Sequence, residues 1–229
     1  MKHRITNRHT MAVIAEYYPE RVVSVSVPDH EYSDLTWVPL LQKQGIAIHR
    51  SQHLVMIAVP PSVRSELDLL TDVQSKHHGC WLALDEVTDP HNLGACLRNI
   101  AALGAQGLVL PKHGSAQVND TVRNISCGGA DFVPIYQVTN LSKAMSHLKK
   151  DGVWVFGGCE RGEQSLGHVK IAEKSLIVMG SEGKGMRPQV RKMCDVVFHL
   201  PTCPPVLSLN VSVATGLALN HWLVGAENT

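Results

Sequence analysis

None of the six cysteines stands in a Cys-x-x-Cys pair, which removes the usual spacing of a structural zinc site. Cys80, Cys96, Cys127, Cys159, Cys194 and Cys203 are scattered, several within apolar runs. They read as core thiols rather than a disulfide framework. Thirteen histidines are many, but no His-Glu-x-x-His pattern occurs, and no metal is expected. No apolar run is long enough to span a bilayer. The opening Met1-Lys2-His3-Arg4-Ile5-Thr6 is polar and has no export-type apolar stretch. The expectation is a soluble, cytoplasmic protein without a membrane partner. Aromatics are only 5% and the formal net charge is only +1. The chain therefore lacks the strongly basic balance that by itself points to nucleic acid. Basic residues can still gather locally. Arg4, Arg8, Arg98, Lys112, Arg123, Lys184, Arg187, Arg191 and Lys192 are candidates for patches or for ordinary solvated surface.

What is present is a chain of 229 residues, 44% hydrophobic, enough for one or two domains with a real core. Up to about residue 76 the pattern is irregular: a helix over 11–18, a strand over 21–27, a helix over 35–44 stopped by Gly45, and strands over 46–49 and 54–59. This is a small α/β module, followed by a polar linker over 61–76. From residue 77 strands and helices alternate regularly. Strands are expected at 81–84, 107–110, 132–136, 153–156, 175–179 and 196–200. A helix opens at Asp89-Pro90, a good N-cap followed by a good first position. Leu93, Cys96, Leu97, Ile100 and Leu103 then recur at helical spacing. Further helices are expected at 118–126, 141–148 and from about 208 to 223. Such alternation argues for a parallel sheet covered on both faces.

Ligands of open α/β sheets bind beyond the carboxyl ends of the strands, and three unusual polar segments fall there. The first is Asp85 to Arg98, with Asp89-Pro90-His91-Asn92-Leu93-Gly94 followed by Arg98. Arg98, in a mostly apolar helix, either pairs with a carboxylate or awaits an anion such as phosphate. Asn92 suits a cap or turn as well as a site. The second is Met179-Gly180-Ser181-Glu182-Gly183-Lys184-Gly185, directly after an apolar strand. It is not a P-loop, and Pro188 replaces the third glycine of a dinucleotide fingerprint. Glu182 is its only carboxylate, placed to orient a hydroxyl or simply to lie on a surface turn. The third runs over 200–210. There Ser208 reads as the N-cap of the last helix and Asn210 as part of its first turn. Ser208 lacks the Gly-x-Ser-x-Gly context of a serine hydrolase.

Asp89-Pro90-x-Asn92-x-Gly94-x-x-x-Arg98, the 179–185 turn, and Ser208-Leu209-Asn210-Val211-Ser212-Val213-Ala214 together resemble the SpoU/TrmH-type RNA 2′-O-ribose methyltransferases of the SPOUT superfamily. The resemblance covers about residues 81–223. The stretch Asp85 to Ala95, with Pro111-Lys112 and Ser115-Ala116-Gln117, most resembles the branch that methylates a guanosine of large-subunit ribosomal RNA. It implies a trefoil-knotted α/β domain over 77–229, preceded by a small substrate-binding-like α/β domain over 1–76. It also implies S-adenosylmethionine as cofactor, no metal, an RNA substrate and a homodimer. Ribosomal RNA, in the 23S molecule, is the expected target and transfer RNA the alternative. The implied functional residues are Asn92, Arg98, Glu182, Ser208 and Asn210, and the implied cofactor contacts are Gly180, Leu200 and Leu209. Thr202, Pro204 and Pro205 stand where Met and Gly are common in that family. A competing reading is a non-enzymatic RNA-binding protein on a degenerate scaffold; retention of all five polar residues speaks against it.

Overall fold

The structure, a computed structural model, describes residues 2–170 and 172–227. The chain divides into two compact units, Met1–Ser62 and Val63–Thr229.

The first unit contains β1 (His3–Ile5), α1 (Arg8–Tyr17), β2 (Val22–Val27), α2 (Val38–Lys43), β3 (Ala47–Arg50) and β4 (Val55–Ala58). Its strands form one sheet in the order β1-β4-β2-β3. α1 starts where Asn7 Oδ1 accepts the backbone N–H of Thr10 at 2.9 Å. It buries Met11, Ile14 and Ala15. In β2, Val25 and Val27 are buried while Ser24 and Ser26 take the alternate positions. β1 was not expected: three residues with Arg4 in the middle are too few for alternation to show. The expected helix over 35–44 shortens to α2. His49 and His53 lie four residues apart, but His49 is on β3 and His53 follows the strand. That spacing therefore does not place them on one helical face, and no metal-holding cluster occurs among the described residues.

The second unit opens with α3 (Glu66–Gln74), in the stretch expected to be linker. A capping box starts it: Ser65 accepts from the Asp68 backbone N–H, and the Asp68 side chain accepts from the Ser65 backbone N–H. Leu69 and Val73 then bury completely. The division of the chain accordingly falls at Ser62, ahead of the boundary expected at residue 76.

Then come β5 (Gly79–Asp85), α4 (Pro90–Leu103), β6 (Gly107–Pro111), α5 (Asp120–Ile125), α6 (Gly129–Phe132) and β7 (Ile135–Val138). α7 (Leu141–Lys150), β8 (Trp154–Gly158), β9 (Gln164–Ser165), β10 (Lys174–Gly180), α8 (Pro188–Arg191), β11 (Val196–His199) and α9 (Val211–Glu227) complete the unit. The strands form one sheet, β7-β6-β5-β10-β8-β11-β9, with every pairing parallel.

Every residue of β5 is buried, as a parallel strand covered on both faces requires. Its alternate residues feed two cores. Leu82 and Leu84 pack with Leu93, Leu97 and Ile100 of α4 and Leu219 of α9. Trp81 and Ala83 pack with Leu69 of α3 and Met145 and Leu148 of α7. Two local expectations are corrected. Phe132 closes the short helix α6 instead of opening a strand, because Cys127 and Gly128 turn the chain with φ of 48° and 99°. The last helix begins at Val211, not near Ser208, because Asn210 is the residue whose side chain caps it.

Candidate active site

The carboxyl ends of β8, β10 and β11 open onto one cleft of about 680 Å³, within the usual range for small-molecule sites. It is walled by residues 158–161, 179–185 and 207–211, with Arg191, Phe198, Leu200, Thr202 and Ala214. The expected cofactor contacts Gly180, Leu200 and Leu209 all line it, and so do Glu182, Ser208 and Asn210.

Three of the expected polar residues meet through their side chains. Asn92 sits in the first turn of α4, which Asp89 caps by accepting the His91 N–H at 3.0 Å. Its amide is 8% exposed and its Nδ2 donates to Glu182 Oε1 at 3.1 Å. Asn210 Nδ2 donates to Asn92 Oδ1 at 2.8 Å and to Glu182 Oε1 at 2.6 Å. On its other side Asn210 Oδ1 accepts from the Ser212 N–H at 2.9 Å and hydroxyl at 2.6 Å, so the same side chain caps α9. One carboxylate oxygen of Glu182 is thus held by amides from two helix starts, which fixes the 179–185 turn against both.

Ser208 lines the cleft but joins none of these bonds. Arg98 is not brought in. It is exposed on α4, has no ion pair or hydrogen bond among the described residues, and does not line the cleft. Six residues beyond Asn92, it stands about 9 Å further along the helix and on another face.

The glycines explain the tight backbone. A Cβ on Gly180 would lie 2.1 Å from the Gly185 carbonyl carbon, and one on Gly162 would lie 2.2 Å from that of Phe198. Neither position tolerates a side chain. The hydroxyl of Ser181 is buried without a hydrogen-bond partner beside the cleft. A buried hydroxyl without a partner is costly, and a polar ligand in the cleft would satisfy it. Volume, backbone-lined walls and this open hydroxyl fit a nucleoside-containing cofactor such as S-adenosylmethionine.

Sequence reasoning placed Asp85 at the head of the first polar segment but gave it no role. Asp85, at the end of the otherwise apolar β5, is fully buried and binds Arg187. Those hydrogen bonds raise the Arg187 guanidinium further above its ordinary value. A carboxylate closing an all-apolar strand was the available signal.

The architecture is that of the SpoU-type α/β methyltransferases: it matches the SpoU methyltransferase AviRb from Streptomyces viridochromogenes, solved in complex with AdoMet, with a TM-score of 0.82. That match covers 100% of this chain and 92% of the other at 18% identity. The model of the SpoU rRNA Methylase family matches residues 79–220, and the chain belongs to that family. Relatives include the 23S rRNA (guanosine-2′-O-)-methyltransferase RlmB of Vibrio vulnificus, 37% identical over 92% of each chain. The protein of that name from Pseudomonas aeruginosa is 43% identical over 72% of this chain and 67% of its own.

Proposed function

We propose that this protein transfers the methyl group of S-adenosylmethionine to the ribose 2′-hydroxyl of a guanosine in 23S ribosomal RNA. The carrying observation is the convergence of Asn92, Glu182 and Asn210 beside a glycine-walled cleft at the carboxyl ends of the sheet. Kinship with RlmB proteins over most of the chain supplies the RNA class.

When bound, S-adenosylmethionine supplies an electrophilic methyl carbon. Gly180, Leu200 and Leu209 would hold it, chiefly through the backbone of their loops. The chain's own contribution is position. Asn92 and Asn210 occupy Glu182 Oε1. They leave Oε2 to accept the ribose hydroxyl and hold its oxygen in line with the cleft. Ser208 lines the cleft wall and would help hold the ribose hydroxyl and the 200–210 loop in place. Arg98 binds an RNA phosphate and stabilises the alkoxide that develops on the ribose oxygen. A guanidinium does not act as a base at neutral pH, so the proton leaves to the phosphate or to water.

Arg98 does not reach the cleft of its own chain, and the same reading therefore includes a homodimer. Val213 and Leu217 are 51% and 46% exposed, one helical turn apart on α9. α9 packs on α4, where Asn99 Nδ2 donates to Ser212 O at 2.7 Å. An apolar stripe beside the helix that carries Arg98 suits a second copy, which brings its guanidinium to the neighbouring cleft.

Three further points belong to this reading. The chain after Gly180 threads a trefoil crossing, supported by the later strand β11 lying between β8 and β9 in the sheet. Residues 1–62 select the RNA, supported by the exposed Arg4, His49 and Arg50 on β1 and β3. The protein works in the cytoplasm, where bacterial ribosomal RNA is found. No helix among the described residues is long and apolar enough to cross a membrane.

The test is transfer of tritiated methyl from S-adenosylmethionine to ribosomal and transfer RNA pools, followed by mapping of ribose methylation. One methylated guanosine in 23S RNA is expected. Label confined to transfer RNA would replace the substrate, and no label in either pool would remove the function.

A further inference from the structure

The hairpin that carries Glu182 has little to stiffen it from within. β10 ends at Gly180, whose register partner on β5 is Asp85. The chain then turns back at once. Ser181 N donates to Gly185 O at 3.2 Å and Gly185 N to Ser181 O at 2.9 Å. Gly183 and Gly185 have φ of 79° and 69°, the permissive conformation in which glycine gives the backbone most freedom. Such a turn needs an external clamp if its carboxylate is to sit still.

The clamp lies two residues beyond the turn. The Arg187 backbone N–H donates to Asp85 Oδ2 at 2.8 Å, and its Nε donates to Oδ1 at 2.8 Å. Its terminal nitrogen reaches the same Oδ1 at 2.6 Å. The Asp85 side chain is 0% exposed, so one buried carboxylate takes two charge-assisted hydrogen bonds and a close ion-pair contact from one residue. Glu86 follows Asp85 with φ of 59°, a conformation uncommon outside glycine, and its Oε1 lies 3.7 Å from Arg187 Nε. That turn sends the chain toward Asp89 and α4. A closed ring results: β5, Asp85, Arg187, the hairpin, Glu182, Asn92, α4 and back to β5. Held at Arg187 and at Glu182, the hairpin has both sides fixed.

We propose that Asp85 and Arg187 are positioning residues for methyl transfer, clamping the base of the 181–185 hairpin so that Glu182 is already engaged with Asn92 and Asn210 before RNA arrives. The inference rests on the role given above to Glu182. Neither residue of the pair lines the cleft; both act through the hairpin.

Two variants test it. Asp85→Asn/Arg187→Gln removes both charges together, leaving no unpaired buried ion to unfold the protein. Arg187→Lys keeps the charge but cannot reproduce the two-nitrogen fork. Hydrogen–deuterium exchange of the protein without added ligand is read first. In the double variant, exchange over 181–186 should accelerate at least about 10-fold while β8 and α7 keep their protection. In RNA methylation the kcat should fall about 100-fold, the cost of a reacting group misplaced by an ångström. The KM for RNA should stay within about 3-fold. Arg187→Lys should show the same two changes at smaller size. Unchanged hairpin exchange, or wild-type kcat in the double variant, overturns the inference. A wild-type protein that methylates no RNA overturns the function itself, and is distinguished because the exchange readout needs no activity.

Discussion

Asn210 and Arg98 stand in opposite relations to the cleft. Asn210 works in two directions, capping α9 with its oxygen and holding Glu182 and Asn92 with its nitrogen. Loss of a cap costs about 1 kcal/mol, a few degrees of Tm for a unit of this size. Asn210→Ala should therefore remain folded by calorimetry yet lose most methyl transfer, because the carboxylate it orients is freed. A variant that loses stability but keeps kcat would make Asn210 a cap only. Arg98 is exposed and carries no structural bond among the described residues. Arg98→Ala should abolish transfer with Tm and S-adenosylmethionine binding nearly unchanged; full activity would reject its role. The buried thiols supply a pH prediction. Burial, then the neighbouring Asp195 carboxylate, pushes Cys194 up to about 12. Burial likewise pushes Cys96 up to about 11. Such groups stay protonated in the folded chain when the unfolded chain has begun to lose its thiol protons. The unfolded state then binds fewer protons, so stability is complete below the ordinary thiol value of 9.0 and falls as pH rises above it. The decline should approach about 1.4 kcal/mol per pH unit for each titrating thiol. Chemical denaturation at pH 8 and pH 10.5 measures it, and Cys194→Ala should flatten the slope.

At the scale of elements, α4 carries the site because its neighbours come unusually close. Gly94, within the Asp89-to-Arg98 motif, does not touch the cleft. A Cβ there would lie 2.8 Å from Ile125 Cβ and 3.0 Å from Val122 O on α5. Gly129 of α6 approaches the same helix, where a Cβ would meet Leu97 O at 2.6 Å. The motif glycine is thus a helix-packing residue. Gly94→Ala should force α5 outward at a cost of about 1–3 kcal/mol, visible as a Tm lowered by several degrees. An unchanged Tm would mean that α5 yields freely. Because α4 also presents Asn92 and Arg98, a smaller loss of activity should accompany the loss of stability.

For the whole molecule, the prediction concerns association. α9 buries Ala218, Leu219 and Trp222 against its own unit yet leaves Val213 and Leu217 exposed. Val213→Glu/Leu217→Glu should convert a dimer into a folded monomer in analytical ultracentrifugation and abolish methylation, since each cleft then lacks the Arg98 guanidinium that the second copy is proposed to bring. A wild-type protein that sediments as a monomer, or a charged variant that stays dimeric, would remove that face as the interface.

Much of this was legible in the residues themselves. Alternating apolar strands and capped helices set the parallel sheet, because a doubly covered strand such as β5 is apolar along its length, here up to Asp85 at its end. Asp89-Pro90 and Gly104 marked the two ends of α4, because capping chemistry is local. The polar motifs identified Asn92, Glu182 and Asn210 as special residues. Their meeting was not legible, since hydrogen bonds spanning 90 and 118 positions of chain depend on strand order, and strand order leaves no periodicity behind. For the same reason α3 was read as linker, its two buried residues being too few to set a pattern. The sequence by itself determined most of the strands and helices of the second unit and which polar side chains stand out from them, because propensity, capping and periodicity act between near neighbours. Only the tertiary structure decided that Asp85 grips Arg187, that Asn210 reaches Asn92 and Glu182, and that Arg98 stands apart from its own cleft. Those outcomes follow from distances between strand ends far apart in the chain, which no local preference encodes.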